Sequence, residues 1–361
     1  MVCPDSYIPI FQFLCDEKAA WGIVLETLAA AGILVTLILM LALLGMIPRV
    51  TDSAKRAIIP IQFLFLIGTL GVFGLTFAFI VRLTNQTCPT RFFLFGVLFA
   101  LCFACLLAHA CKLLRLVRGG LGISGCVMFI IVVCLWLIQC VIAILYVVLV
   151  IVRGNNVCDS QATSDVLDNF NKDFVMVLIY VYALMVLAFI ISLFTLCGPC
   201  AWWKRHGHHI YVTMFFSIAI WIVWIIMLLL GNRSLGHSHE WDDPVMAIAL
   251  VANGWVFLLM YMIPELCLLT RCAPTTSNKN CAQIGPNQPR LLRQTYGVEN
   301  RVFAPEEVNQ GCDSGRSSPS SPPRFGGTLP MKEFDPSKEF SIPRPQHQAW
   351  AQYHTHHMTK T

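Results

Sequence analysis

The sequence predicts an all-α membrane protein: a seven-transmembrane helix bundle with a short extracellular N-terminus and a disordered cytoplasmic tail. Three observations carry this. Only 12% of the 361 residues are charged, 57% are hydrophobic and the mean hydropathy is +0.67, too little charge to cover a water-facing surface. Seven apolar runs, at about 22–47, 58–81, 92–117, 124–152, 174–197, 210–231 and 245–270, each reach the roughly 20 residues that a bilayer core demands. Near Cys272 the composition breaks: the last 90 residues hold eleven of the nineteen prolines, with SSPSSPP at 317–323 and no apolar periodicity. The domains follow as 1–21, 22–271 and 272–361.

The first 21 residues show no basic stretch ahead of an apolar one. No cleaved signal peptide is expected, and the first span acts as the signal. The leading segment is too short for a folded ligand-binding domain. The runs lack the period-2 alternation of a membrane barrel and are rich in Leu, Ile, Val and Phe, so they read as helices. Short connections make neighbours antiparallel. Spans two and three carry Gly68, Gly71, Gly74 and Ala100, Ala104, Ala108, small residues at the intervals of close helix packing.

Span three ends in CLLAHACKLLRLVRGG, residues 105–120. His109 sits one turn deeper than Lys112, Arg115 and Arg118. Lipid offers a histidine no partner, so His109 is expected to face the bundle or a water-filled cavity. The three bases read either as snorkelling anchors or as contacts to a cytosolic partner. Arg205, His206, His208 and His209 begin span six. A polar contact between these ends would hold the inner mouth shut, and its release would let helices separate; the alternative is that the histidines only solvate the interface. Span seven opens Trp241-Asp242-Asp243-Pro244, where Asp243 suits an N-cap and Pro244 a first helical position. Trp21, Trp202, Trp203 and Trp241 mark span boundaries.

Charge gives the orientation. With the N-terminus outside, the inner loops hold Arg49, Lys55, Arg56, Lys112, Arg115, Arg118, Lys204 and Arg205 against one acid, Asp52. The sequons at Asn85 and Asn232 then both lie outside. So do Cys3, Cys15, Cys88 and Cys158, in an oxidising environment. A Cys88–Cys158 bridge would clamp the second outer loop over the bundle mouth, and Cys3–Cys15 would close a small loop. A tie from the N-terminus to the second loop is the alternative. Cys102, Cys105, Cys111, Cys126, Cys134 and Cys140 are expected as packing residues. Cys197 and Cys200 form a CxxC with no second pair, and Cys200, Cys267 and Cys272 are juxtamembrane candidates for palmitoylation.

Enzyme chemistry finds no support: there is no HExxH, no GxGD pair and no cluster of Asp and His at helical spacing. No lysine in the last span suits a retinal pump, and no repeat symmetry suits a transporter. Glu26, His109 and Glu265 are the ionisable residues within spans, too few for a proton path. No metal site, cofactor or nucleic-acid partner is expected.

CFACLLAHACKLLRL (102–116) and HHIYVTMFFSIAIWIVW (208–224) resemble helices three and six of class C G-protein-coupled receptors. More narrowly, six strings are similar to the orphan group 5 of that class, the retinoic-acid-inducible receptors. They are AWGIVLET (20–27), QFLFLIGTLGVFGLTFAFI (62–80), TRFFLFGVLFALCFACLLAHA (90–110), WKRHGHHIY (203–211), WDDPV (241–245) and NGWVFLLMY (253–261). The tail islands YGVENR and EFSIPR resemble the group too.

The resemblance implies a plasma-membrane receptor, N-terminus outside, without a settled agonist and possessing a heterotrimeric G protein or tail-bound adaptors as partners. The cytosolic partner face would be Lys112, Arg115, Arg118, Lys204 and Arg205. Larger class C receptors carry a lysine in helix three and a glutamate in helix six as an inner lock. The strings place His109 and His206 there, and the Pro-Lys of helix seven becomes Pro264-Glu265. The charge pattern is therefore not kept, and two histidines at most share a proton or a water. Trp221 and Trp224 match the aromatic positions near the helix-six kink, where core packing is the plainer role. A homodimer would form through the spans, within membrane lipid. The alternative is a membrane scaffold whose tail, phosphorylated at Tyr296, Ser317, Ser318 and Ser321, recruits kinases or adaptors.

Overall fold

A computed structural model describes residues 20–50, 53–80, 88–120, 122–152, 164–198, 201–231, 234 and 241–270, all within the compact unit Met1–Glu307. Seven helical spans are long and apolar enough to cross a membrane: Trp21–Arg49, Ala54–Ile80, Thr90–Val117, Gly125–Val150, Ile179–Leu196, Trp203–Gly231 and Asp242–Leu269. Among the described residues every regular element is helical. The chain is a multi-pass membrane protein. Successive spans alternate in direction, which gives the bundle a Trp21 end and an Arg115 end.

Span three is the hub. Its most apolar window is 78% buried, against 22% for spans one and four. Span one turns Leu34, Ile38 and Leu41 outward, and span four turns Ile130, Val141 and Leu145 outward. Such a surface is stable only against hydrocarbon. Ala100, Ala104 and Ala108 are buried on span three. A Cβ on Gly68 would lie 2.7 Å from Cys102 Sγ, and one on Gly71 would lie 2.5 Å from a Leu98 methyl. These two glycines admit span three; a Cβ on Gly74 would meet nothing within 4 Å, so the third does not.

The boundaries shift in three places. A polar helix, Ser164–Val177, runs up to Leu178 before span five begins at Ile179. Its apolar side buries Phe170 and Phe174; the first of these was obscured in the sequence by Asp168, Asn171, Lys172 and Asp173. The helix of span six starts at Ala201, well before the apolar run at 210–231, so Lys204 and the histidines that begin the span are helical. Span seven starts at Asp242 with no side-chain cap. The N-cap expected of Asp243 is thus corrected: its carboxylate is drawn to Arg91 instead. Of the six expected packing cysteines, Cys102 and Cys105 are buried, Cys111 and Cys140 are half-buried, and Cys126 and Cys134 face outward.

Span three closes at Gly119, whose φ of 75° lies in the left-handed region that glycine tolerates. The Gly119 N–H donates to Leu116 O at 3.1 Å and the Gly120 N–H to Arg115 O at 2.9 Å. The RGG of the sequence is a helix stop.

Candidate functional site

At the Arg115 end, spans three, six and seven bring His109, His206 and Glu265 together. All are buried, at 0%, 1% and 0% exposure. His206 Nδ1 lies 2.7 Å from Glu265 Oε2, and His109 Nδ1 lies 2.8 Å from Tyr261 Oη. The two imidazoles are close, with ring centroids 6.5 Å apart, yet each takes its short hydrogen bond from span seven. The short contacts run to span seven rather than directly between the two imidazoles. The carboxylate of the cluster comes from Glu265 on span seven, and the sequence did not single out Tyr261.

Local structure of span seven sets this up. Tyr261 and Glu265 are four residues apart, on one helix face. Phe257–Met262 is π-helical and is followed by Pro264. Proline has no N–H and its ring crowds the carbonyl four residues back, so the ladder ahead of it widens. Tyr261 is wedged edge-on against Phe65 of span two, with centroids 4.9 Å apart. Trp203 packs beside His206 at 5.5 Å.

The basic collar divides. Arg115, Arg118 and Arg205 are exposed and Lys204 is half-buried. Lys112 does not belong with them. It is 1% exposed, and its ammonium donates to Ala54 O at 2.7 Å. Its stem turns toward the short helix Ser53–Arg56 at the start of span two. The expected place of Lys112 on the partner face is therefore corrected: it ties span three to the start of span two.

Trp221 and Trp224 lie in the core, their rings 5.4 Å apart. Trp221 meets Phe99 edge-on at 5.2 Å, and Trp224 meets Phe95 at 5.5 Å. The column ties spans three and six above the polar cluster.

A second polar knot closes the Trp21 end. Arg91, 2% exposed, donates from Nη1 to Ala78 O at 2.9 Å and from Nη2 to both Asp243 oxygens at 3.2 and 3.3 Å. Its guanidinium lies 4.7 Å over the Phe79 ring. Asn171 donates to Asp242 Oδ2 at 2.9 Å. Sequence reasoning did not single out Arg91, although a lone arginine in the first turn of an apolar span, with two acids opening another, was a usable signal. Arg91→Leu is expected to cost about 1.5–3 kcal/mol, the range for hydrogen bonds to charged groups. Arg91→Lys should recover only part, because a point charge cannot hold the carbonyl and the carboxylate at once. Melting temperatures of the purified variants check both.

Cys3, Cys15, Cys158, Asn85, Asn232, Tyr296, Ser317, Ser318 and Ser321 lie outside the described residues, as does the side chain of Cys88.

The family described as 7 transmembrane sweet-taste receptor of 3 GCPR matches residues 15–265. Human retinoic acid-induced protein 3 is 45% identical over 342 residues, covering 95% of this chain and 93% of its own length. The mouse protein of the same name is 48% identical over 344 residues, with the same coverage of 95% and 93%. Mouse G-protein coupled receptor family C group 5 member C is 41% identical over 319 residues, 84% of this chain and 72% of its own.

Proposed function

The chain belongs to the class C seven-transmembrane receptor family, alongside its group 5, and from that premise we propose a plasma-membrane receptor switched at the Arg115 end. The Arg115 end faces the cytosol and the Trp21 end faces out. Spans three, six and seven are the moving parts, and the output passes through a heterotrimeric G protein or tail-bound adaptors. The observation that carries this is the buried 2.7 Å contact between His206 and Glu265, with His109 beside it. Two spans joined by one polar contact, around a wide turn ahead of Pro264, supply two discrete packings rather than a continuum. Under this orientation Asn85 and Asn232 take glycans, Cys88, Cys158, Cys3 and Cys15 form the outer disulfides, and the lipid-facing spans offer room for a homodimer.

Arg115, Arg118, Lys204 and Arg205 form the cytosolic partner face, at the same end as the switch. Reversing charge at Arg115→Glu and Arg205→Glu together is expected to reduce G-protein engagement several-fold in a proximity assay, at normal surface level. Unchanged engagement removes this footprint. The scaffold reading is favoured by one sequence feature, the Ser-Pro run with Tyr296 in the tail. Deleting residues 285–361 in the same assay separates the two, since a scaffold loses all output and a switched receptor keeps its basal coupling.

A further inference from the structure

We propose that His109, His206 and Glu265 form a binding site for a borderline transition-metal cation, zinc foremost, that staples spans three, six and seven together. One ligand atom from each residue lies within 4.8 Å of the other two, and all three residues are buried. Two imidazoles and one carboxylate are a zinc donor set; calcium and magnesium prefer oxygen alone. A water completes four-coordination.

Two buried polar atoms stand open in the cluster. His109 Nε2 and Glu265 Oε1 have no hydrogen-bond partner among the described residues. Such atoms are costly in a low-dielectric interior, and a cation would satisfy both. The outer contact is the one a metal-bound histidine needs. His109 Nδ1 is held by Tyr261 Oη at 2.8 Å, which fixes the ring and leaves Nε2 to ligate. A cavity of about 610 Å³ lies at the same end of the bundle, lined by His209, Pro264 and Cys267 among others, sequence neighbours of the cluster. None of this was visible along the chain, where the three residues stand 59 or more positions apart.

The proposal uses the cluster of the switch but does not require coupling to any partner, so its test reads bound metal rather than signalling. The full chain is purified without a polyhistidine tag, stripped with chelator and titrated with Zn²⁺ or Co²⁺. His347, His354, His356 and His357 of the tail are changed to alanine in the parent, because they offer competing ligands. The parent should bind one equivalent whose Co²⁺ form shows visible ligand-field bands, and Zn²⁺ should raise its melting temperature reversibly on chelation. His109→Gln and Glu265→Gln should each weaken binding by at least about tenfold and Tyr261→Phe by about tenfold. His208→Ala should leave it unchanged. A parent with neither Co²⁺ bands nor a chelator-reversible rise overturns the proposal whatever the variants do, as does a folded His109→Gln that retains the parent's affinity.

Discussion

Glu265→Ala is expected to destabilise the folded bundle by about 3–5 kcal/mol, the usual cost of breaking a buried polar pair from one side. Glu265 is 0% exposed and His206 1%, so water cannot take over the lost contact. His206→Ala should cost a similar amount, because the carboxylate it leaves is a buried charge. The paired change His206→Leu with Glu265→Leu should behave differently. Two apolar side chains of comparable volume remove both the contact and its desolvation cost, so most of the stability returns. A double-mutant cycle on melting and denaturant unfolding isolates the coupling; a value under about 0.5 kcal/mol would mean the pair is incidental. The same variant also tests the switch. When helices separate, a polar pair is rehydrated, whereas a leucine pair is exposed to water at a cost. The leucine variant should therefore fold well yet engage its partner poorly. Full engagement by a stable leucine variant would remove the pair from the mechanism.

What the sequence could reveal here follows from how each feature is encoded. Spanning hydrocarbon is a property of composition along a line, so seven runs were legible to within a few residues. The exceptions are instructive. Ser164–Val177 is a helix whose polar side hid its buried Phe170 from a hydropathy reading, which picked up only its last turn from Phe174. Lys204 to His209 are charged or polar and helical at once, so the apolar run began too late. His109 was rightly expected to face the bundle, because lipid gives a histidine no alternative. Its partner was not legible. Tyr261 lies 152 residues away, and a span apolar on every side carries little periodic signal about which face turns inward. Lys112 shows the limit from the other side. Its spacing with Arg115 and Arg118 suggested one basic stripe, but 100° of rotation per residue puts it three residues, and so some 60°, from Arg115. That rotation is enough to aim it at Ala54 O. Asp243 was misread for the same reason: a local cap and a distant arginine compete for one carboxylate, and only the packing decides.

Gly254→Val should be the other large effect, through a wedge on span two. The Phe73 ring is 0% exposed. A Cβ on Gly254 would lie 2.5 Å from its Cζ, and one on Gly32 would lie 2.4 Å from its Cε1 and Cζ. The ring thus occupies the space that side chains on spans one and seven would need. It cannot yield to one glycine position without moving onto the other or onto Trp255, whose ring is 6.0 Å away. Alanine at Gly254 or at Gly32 is expected to cost about 1–3 kcal/mol, as overpacking does, and valine more. Phe73→Leu alone should also destabilise, by opening a void. Combined with Gly254→Ala it should regain most of the loss, since the smaller side chain vacates the space the methyl enters. Melting temperatures across the four proteins read this directly, and additive losses would deny that ring and glycine share one volume. The consequence reaches the polar cluster. Gly254 and Glu265 ride on the same span, separated by the π-helical Phe257–Met262. Should that wide turn absorb the displacement, Gly254→Ala will melt early but keep parental partner engagement. A rigid span would instead shift Glu265 away from His206, and engagement would change along with stability and return with Phe73→Leu.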